Sequence, residues 1–139
     1  MLKQNLLISL LLSLCLAIPA LAAYPEIPRI SIADLKTMID NGEPVLILDT
    51  QPEVVHNMGH IAGAISFPWQ WDADLYDITR LPEDKDLLLV TYCECGPGES
   101  DGANVANTLI ERGFRNVKVL EDPSLTGWRA LGYPVENEE

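Results

Sequence analysis

Basic residues are scarce in this chain of 139 residues. Nine Lys and Arg stand against 21 Asp and Glu, which gives a formal net charge of −12. Such a balance opposes binding to nucleic acid or to anionic lipid, so we expect neither as a partner. Internal repeats are also lacking, and no apolar run beyond the N-terminus is long enough to cross a membrane. These absences predict one small acidic domain, which we expect to be a monomer.

The N-terminus carries the features of a secretory signal. Lys3 precedes a mainly apolar run over residues 6–17, and Ala-Leu-Ala follows at residues 20–22. A positive start, a short apolar core and an Ala-x-Ala end are typical of a signal peptide. We therefore predict a signal at residues 1–23 and a domain at residues 24–139 that is periplasmic or otherwise exported and leaves the membrane after cleavage. An uncleaved membrane anchor is the alternative.

Cysteine is rare as well. Of three cysteines, Cys15 falls in the predicted signal, which leaves Cys93 and Cys95. Exported proteins commonly use cysteines in stabilising disulfides, but a bridge between residues two positions apart closes almost no loop and adds little stability. The pair is therefore predicted to serve chemistry. In an oxidising compartment, a free thiol there requires a dedicated reductant or partner.

Apolar runs alternate with helical patterns along the predicted domain. Continuous apolar runs are typical of strands buried on both faces, and strands are predicted at residues 45–48, 64–67, 87–92 and 117–120. Helices are predicted at residues 31–40, 52–58, 72–79, 101–113 and 124–131. This alternation predicts an α/β fold with a central parallel sheet and helices on both faces. Ligands of such sheets bind beyond the carboxyl ends of the strands, where Asp49 and Cys93 lie.

The segment after the strand at residues 87–92 has the features of a thiolate site. Cys93 directly follows the strand, and a loop leads from it into a helix. The loop consists of Glu94, Cys95, Gly96, Pro97, Gly98, Glu99 and Ser100. Backbone N–H groups of such a loop and the positive end of the helix stabilise negative charge and lower the pKa of a thiol. Alone the pattern is unspecific, because a cysteine at a strand end is more often a small apolar residue.

Four motifs resemble the rhodanese-like family. Tyr92-Cys93 with the following loop and helix resembles its active-site segment, and Gly-His-Ile-Ala-Gly-Ala at residues 59–64 is similar to its Gly-His-Ile-x-Gly-Ala signature. Ile-Leu-Asp at residues 47–49 resembles the Asp-bearing strand end, and Trp128 followed by Gly-Tyr-Pro-Val resembles the closing motif. The resemblance spans residues 29–135 and implies the rhodanese-like fold.

The resemblance implies a single-domain sulfurtransferase. Cys93 takes the nucleophile position: it attacks the sulfane sulfur of a donor, becomes a persulfide held by backbone amides, and passes the sulfur to cyanide or a thiol acceptor. Asp49 is expected to anchor the active-site loop, and His60 to hydrogen-bond its turn. No cofactor is expected. No metal is expected either, because two thiolates without a nearby His or third Cys make a poor closed site.

The loop departs from the family pattern in its charge. Thiosulfate-using members carry arginine there, yet no Lys or Arg occurs between Lys85 and Arg112. Glu94 and Glu99 lie in the loop instead, and nearby carboxylates raise the pKa of a thiol and repel a dianion. We therefore predict weak thiosulfate activity and a neutral or protein-bound persulfide donor. Glu99 also stands where a phosphatase of the related fold needs arginine, which excludes that function.

Several alternatives stay open. Cys95 is a rival nucleophile, a group that resolves a persulfide, a disulfide partner of Cys93, or a side chain that points away. The competing functions are a catalytically weak module that binds a protein partner or carries persulfide, and a thiol redox or soft-metal site at the Cys-x-Cys pair. His56 is expected on an exposed helix face. Trp69 and Trp71 either line a substrate groove or simply pack.

Overall fold

The computed structural model describes residues 26–138, so the predicted signal peptide lies outside the described residues. Strands and helices mostly alternate along the described residues, as predicted. In chain order the elements are β1 (Arg29–Ile30), α1 (Ile32–Asp40), β2 (Val45–Asp49), α2 (Glu53–Met58), β3 (His60–Ile61), β4 (Ile65–Ser66), two 3₁₀ turns (Ala73–Leu75 and Ile78–Arg80), β5 (Leu88–Tyr92), α3 (Ser100–Glu111), β6 (Val117–Leu120), α4 (Ser124–Ala130) and β7 (Val135–Glu136).

Five strands form one parallel sheet in the order β1-β6-β5-β2-β4. β5 is central, and its whole length pairs with β2 in a register that runs from Val45 beside Leu88 to Asp49 beside Tyr92. β3 and β7 form a separate two-stranded antiparallel sheet. The predicted parallel α/β fold is therefore confirmed, with both strands that precede the candidate site ending side by side.

Helices cover both faces of the sheet and enclose two apolar cores. The core on one face joins Leu35 of α1 and Trp128 of α4 to Val90 and Tyr92 of β5. The core on the other face joins Leu109 and its neighbours on α3 to the alternate residues of the central strands. Burial on both faces explains why these strands appear in the sequence as unbroken apolar runs.

α3 lies very close to the strand that precedes it. A Cβ at Gly102 would lie 3.4 Å from the backbone of Tyr92, which is van der Waals contact, so the backbones of the helix and the strand pack closely here. The Thr91 hydroxyl donates to the Gly102 carbonyl at 2.8 Å. Together these contacts fix the start of α3 against the end of β5, which confines the connection between them at residues 93–99.

The helix predicted for residues 72–79 is wrong. This segment forms two separate 3₁₀ turns. The carboxylate of Asp72 accepts from the N–H of Asp74, and that of Asp77 accepts from the N–H of Thr79. Because aspartates that bond nearby N–H groups compete with the helical hydrogen-bond ladder, the segment breaks into turns. Across residues 26–138, none of the helices combines the length and the apolar character that crossing a bilayer requires.

Candidate active site

The candidate site begins where β2 and β5 end together. Asp49 and Tyr92 are the last residues of these strands and are paired across them. The Thr50 N–H and hydroxyl both donate to the Tyr92 carbonyl, at 2.9 and 3.0 Å. Cys93 follows directly, so it emerges at the carboxyl edge of the sheet, where ligands of parallel sheets bind.

Asp49 is fully buried and holds the end of β5 in place. Its Oδ2 accepts from the Tyr92 hydroxyl at 2.9 Å and lies 3.0 Å from Nδ1 of His56. Its Oδ1 accepts from the Gln51 N–H at 3.0 Å. Burial, followed by the charge of Asp49, raises the pKa of the Tyr92 hydroxyl, which therefore stays protonated and donates. Asp49 thus positions the residue immediately before Cys93.

His56 and His60 form a buried pair behind Asp49. The prediction that His56 lies on an exposed face is wrong: it is 2% exposed, because its ring turns inward to meet the Asp49 carboxylate. The two imidazole rings stack with centroids 3.7 Å apart. His60 places its Nδ1 2.9 Å from the His56 carbonyl. These contacts join β3 to the end of α2. Both rings lie behind Asp49 and help to support the edge of the sheet.

Cys93 and Cys95 are joined as a disulfide. Cys93 is 4% exposed, whereas Cys95 lies on the exposed side of the loop. The sulfur of Cys93 accepts from the Cys95 N–H at 3.3 Å. The sulfur of Cys95 lies at the start of α3, 3.3 Å from the Asp101 N–H and 3.6 Å from the Ser100 hydroxyl. Two of these donors therefore point at the sulfur of Cys95, and one points at the sulfur of Cys93.

Glu99 points inward beneath the loop. Its side chain is 1% exposed, and its Oε2 accepts from the N–H groups of Cys93 at 2.6 Å and Glu94 at 3.0 Å. Burial raises the pKa of this carboxyl, and a hydrogen bond with Asp122 acts in the same direction. Two of the loop amides that the sequence assigned to an anion at Cys93 are therefore already bonded to a carboxyl group of the chain.

Glu94 ties the loop to the start of α4. Its carboxylate accepts from the Ser124 hydroxyl at 3.2 Å, from the Thr126 hydroxyl at 2.7 Å and from the Thr126 N–H. An acidic group at a helix N-terminus satisfies free N–H groups and favours the helix dipole. Glu94 itself adopts a left-handed backbone conformation with φ of 55°. Its charge is thus directed at α4 and away from the sulfur atoms.

The far side of the loop is held by an arginine from β1. The Arg29 guanidinium donates to the Gly98 carbonyl at 2.8 Å, and the Gly98 N–H donates to the Asp122 carboxylate at 2.6 Å. The sequence places these residues far from the loop, and only the order of the strands brings β1 and the end of β6 beside it. The loop is therefore fixed at each side by charged groups.

An open cavity of about 340 Å³ lies beside the loop. Three carboxyl groups contribute to its wall, together with glycine and proline residues: Glu94, Gly96, Pro97, Glu99, Asp122 and Pro123. A doubly charged anion meets unfavourable charge in such a cavity, whereas a neutral or cationic group does not. The geometry therefore favours neutral groups or cations beside the loop.

Three potential metal ligands lie close together at the loop. The sulfurs of Cys93 and Cys95 and one carboxylate oxygen of Asp101 lie within 4.8 Å of one another. While the sulfurs are bonded to each other, they are not available as the thiolates that a soft metal requires.

Trp69 and Trp71 line a separate open groove of about 500 Å³ against α3. Both indole side chains are largely exposed, at 41% and 76%.

The sequence missed the roles of the loop carboxylates. It identified Glu94 and Glu99 as charges near the thiol, but their partners are backbone N–H groups and the hydroxyls of Ser124 and Thr126, which no local pattern links to the loop. One signal was present in the sequence: residues 124–126 begin a helix that has no side-chain cap of its own, so a cap from elsewhere in the chain was to be expected.

The fold and the cysteine loop define a rhodanese-type domain. The model of the Rhodanese-like domain family matches residues 31–131, and the chain belongs to this family. The resemblance seen in the sequence is thereby confirmed.

Known relatives agree with this assignment. The chain is 26% identical to the adenylyltransferase and sulfurtransferase MOCS3-1 of Zea mays over 86% of its own length, and it spans 25% of that relative. The crystal structure of the Alr3790 protein from Anabaena superposes with a TM-score of 0.67 at 28% identity, covering 78% of this chain and 92% of the other. The BH2092 protein from Bacillus halodurans gives a TM-score of 0.67 at 29% identity, with coverage of 79% and 77%.

Proposed function

We propose that this protein is an exported single-domain sulfurtransferase that moves sulfane sulfur through a persulfide on Cys93. The observation that carries the proposal is the position of Cys93, which directly follows the central strand at the carboxyl edge of a rhodanese-type sheet. In this proposal the domain acts as a monomer in the periplasm or an equivalent compartment.

The chemistry proceeds in two displacements. The Cys93 thiolate attacks the outer sulfur of the donor, the bond between that sulfur and the rest of the donor breaks, and the donor leaves with the electron pair. The resulting persulfide then gives its outer sulfur to cyanide or to a thiol, which restores the thiolate. The N–H of Cys95 supports the reacting sulfur, because it donates to the sulfur of Cys93 at 3.3 Å.

The acidic cavity supports one class of donor over another. Glu94, Glu99 and Asp122 contribute to its wall, so thiosulfate, a dianion, is a poor substrate. A neutral persulfide, or one carried by a partner protein, avoids this repulsion. A partner with basic residues around its persulfide is the donor that the wall fits best.

A persulfide carrier is the second candidate function. The same carboxyl groups that disfavour thiosulfate also favour a module that accepts sulfur from one protein and delivers it to another without rapid turnover on small molecules. The two candidates share the persulfide on Cys93 and differ in whether cyanide or a small thiol releases the sulfur efficiently.

Intact mass spectrometry tests the proposal. The reduced domain is exposed to thiosulfate, to a polysulfide or to an organic thiosulfonate, and then to cyanide, for the wild type, Cys93→Ser and Cys95→Ser. We expect uptake of one sulfur atom that requires Cys93, release of thiocyanate, and weaker loading by thiosulfate than by the other donors. No sulfur uptake by any of the three proteins overturns the proposal. Uptake without release to cyanide or thiols selects the carrier over the enzyme.

A further inference from the structure

We propose that Cys95 resolves the Cys93 persulfide: it displaces the outer sulfur as hydrogen sulfide and closes the site as the Cys93–Cys95 disulfide, which an external dithiol reopens. The inference rests on the proposed persulfide and adds a reductive activity to it. The domain then reduces sulfane sulfur to sulfide at the expense of a dithiol.

The backbone brings the two cysteines together before any bond forms. Their Cα atoms are 5.2 Å apart, within the range of about 4.4–6.8 Å that disulfides require. An extended chain separates residues two positions apart by about 6.6–7.2 Å. The left-handed conformation of Glu94 shortens this distance, and the contacts of its carboxylate with Ser124 and Thr126 hold that conformation.

The two sulfurs have different surroundings that suit different roles. Cys93 is buried, while Cys95 is exposed and lies where the 12-residue helix α3 begins. The Asp101 N–H and the Ser100 hydroxyl point at the Cys95 sulfur. Such donors stabilise a thiolate, so Cys95 carries the nucleophile that attacks Cys93.

Stability of the fold does not account for the bond. A disulfide that closes a loop of this size constrains the unfolded chain very little. The bond instead places the Cys95 sulfur directly against Cys93, so that Cys93 has no free thiolate. The oxidised site therefore cannot accept another donor until it is reduced.

The resolving step exchanges one sulfur–sulfur bond for another. The Cys95 thiolate attacks Sγ of the Cys93 persulfide, the bond between that Sγ and the outer sulfur breaks, and the outer sulfur leaves as hydrosulfide with the electron pair. The outer sulfur is reduced to sulfide while the two cysteines are oxidised to a disulfide. A dithiol reductant then supplies two electrons and two protons to restore both thiols.

A single-turnover experiment tests the inference. The reduced domain, freed of reductant, is mixed with one equivalent of benzenethiosulfonate, whose leaving group is a sulfinate and which brings no sulfide of its own. Released sulfide and intact mass are followed for the wild type, Cys95→Ser and Cys93→Ser. We expect the wild type to release about one equivalent of sulfide and to lose two hydrogen atoms, Cys95→Ser to keep one added sulfur atom and release none, and Cys93→Ser to do neither.

The experiment distinguishes failure of the resolving step from failure of the proposed persulfide. If the wild type keeps the added sulfur as stably as Cys95→Ser, the proposed persulfide stands and the resolving role of Cys95 is overturned. If neither protein takes up sulfur, the proposed function itself fails. Circular dichroism checks that Cys95→Ser is folded. If this variant does not fold, alkylation of the wild type replaces it, because resolution consumes both thiols in step with sulfide release. Two thiols that can still be alkylated after sulfide release would overturn the inference.

Discussion

The carboxylate of Asp49 accepts the Tyr92 hydroxyl at 2.9 Å across the two strands whose ends support the cysteine loop. The contact is fully buried, and the same carboxylate also meets His56 and Gln51. The residue that precedes Cys93 is therefore held by a buried polar network. Both the position of Cys93 and the stability of the sheet edge therefore depend on this network.

Replacing Asp49 with alanine should destabilise the domain strongly. Tyr92, His56 and the Gln51 N–H would each lose a buried partner, and unsatisfied buried polar groups are costly. We expect a loss of at least about 3 kcal/mol in the free energy of unfolding, measured by urea denaturation. Tyr92→Phe is the matched control, because it removes one hydroxyl and keeps the ring; a loss for Asp49→Ala no larger than that for Tyr92→Phe would contradict the role of the network.

Glu94 should contribute to stability through α4. Glu94→Ala removes the group that caps the first turn of this helix, so we expect a loss of about 1 kcal/mol, again from urea denaturation. Glu94→Gln carries the same backbone conformation and keeps an acceptor for Ser124 and Thr126, so it should retain part of the stability. If the alanine and glutamine variants unfold together with the wild type, the carboxylate does not cap the helix.

The fold could be predicted well from the sequence because local patterns of apolar residues indicate its main strands and helices. Apolar runs predicted β2 and β5, and a helical pattern predicted α1, at whose start the Ser31 hydroxyl accepts from the Asp34 N–H at 3.0 Å. The helix predicted at residues 72–79 failed because aspartate side chains bonded their own backbone. Local competition of this kind is not visible in apolar periodicity.

The candidate site was predicted only in outline. The edge of the sheet, the loop and Cys93 follow from the order of the elements, but the partners of the loop do not. Arg29 and Asp122 reach Gly98 from strands far apart in the chain, and the direction in which Glu99 points depends on which amides it meets. Such contacts arise from tertiary packing, and the spacing of residues along one sequence does not predict them.

The buried carboxyl of Glu99 should make stability depend on pH. Burial raises its pKa in the folded state, so the folded state binds the proton more tightly than the unfolded state does. Stability is then fully present below the unfolded pKa and decreases as pH rises through the folded pKa, by about 1.4 kcal/mol for each unit between the two values. Comparing urea denaturation of the wild type with Glu99→Gln across this range should show that the variant lacks this decrease. Parallel curves for the two proteins would show that Glu99 does not titrate differently on folding.

The charge of Glu99 should also limit the use of thiosulfate. Glu99→Gln keeps the size of the side chain and an acceptor for the N–H groups of Cys93 and Glu94, but it removes one negative charge beside the sulfur atoms. Less repulsion of the dianion should raise kcat/KM for thiosulfate by about tenfold, which corresponds to about 1.4 kcal/mol in the barrier.

Two comparisons isolate the charge effect. Glu83 is exposed and precedes the opposite end of β5, so Glu83→Gln makes the same chemical change away from the loop and should leave kcat/KM for thiosulfate unchanged. For a neutral persulfide donor, Glu99→Gln should change kcat/KM much less than for thiosulfate, because no donor charge is present to be repelled. A rise of equal size for both donors would mean that the substitution activates the Cys93 thiol itself, and the selection of donors by charge would then have to come from Glu94 and Asp122.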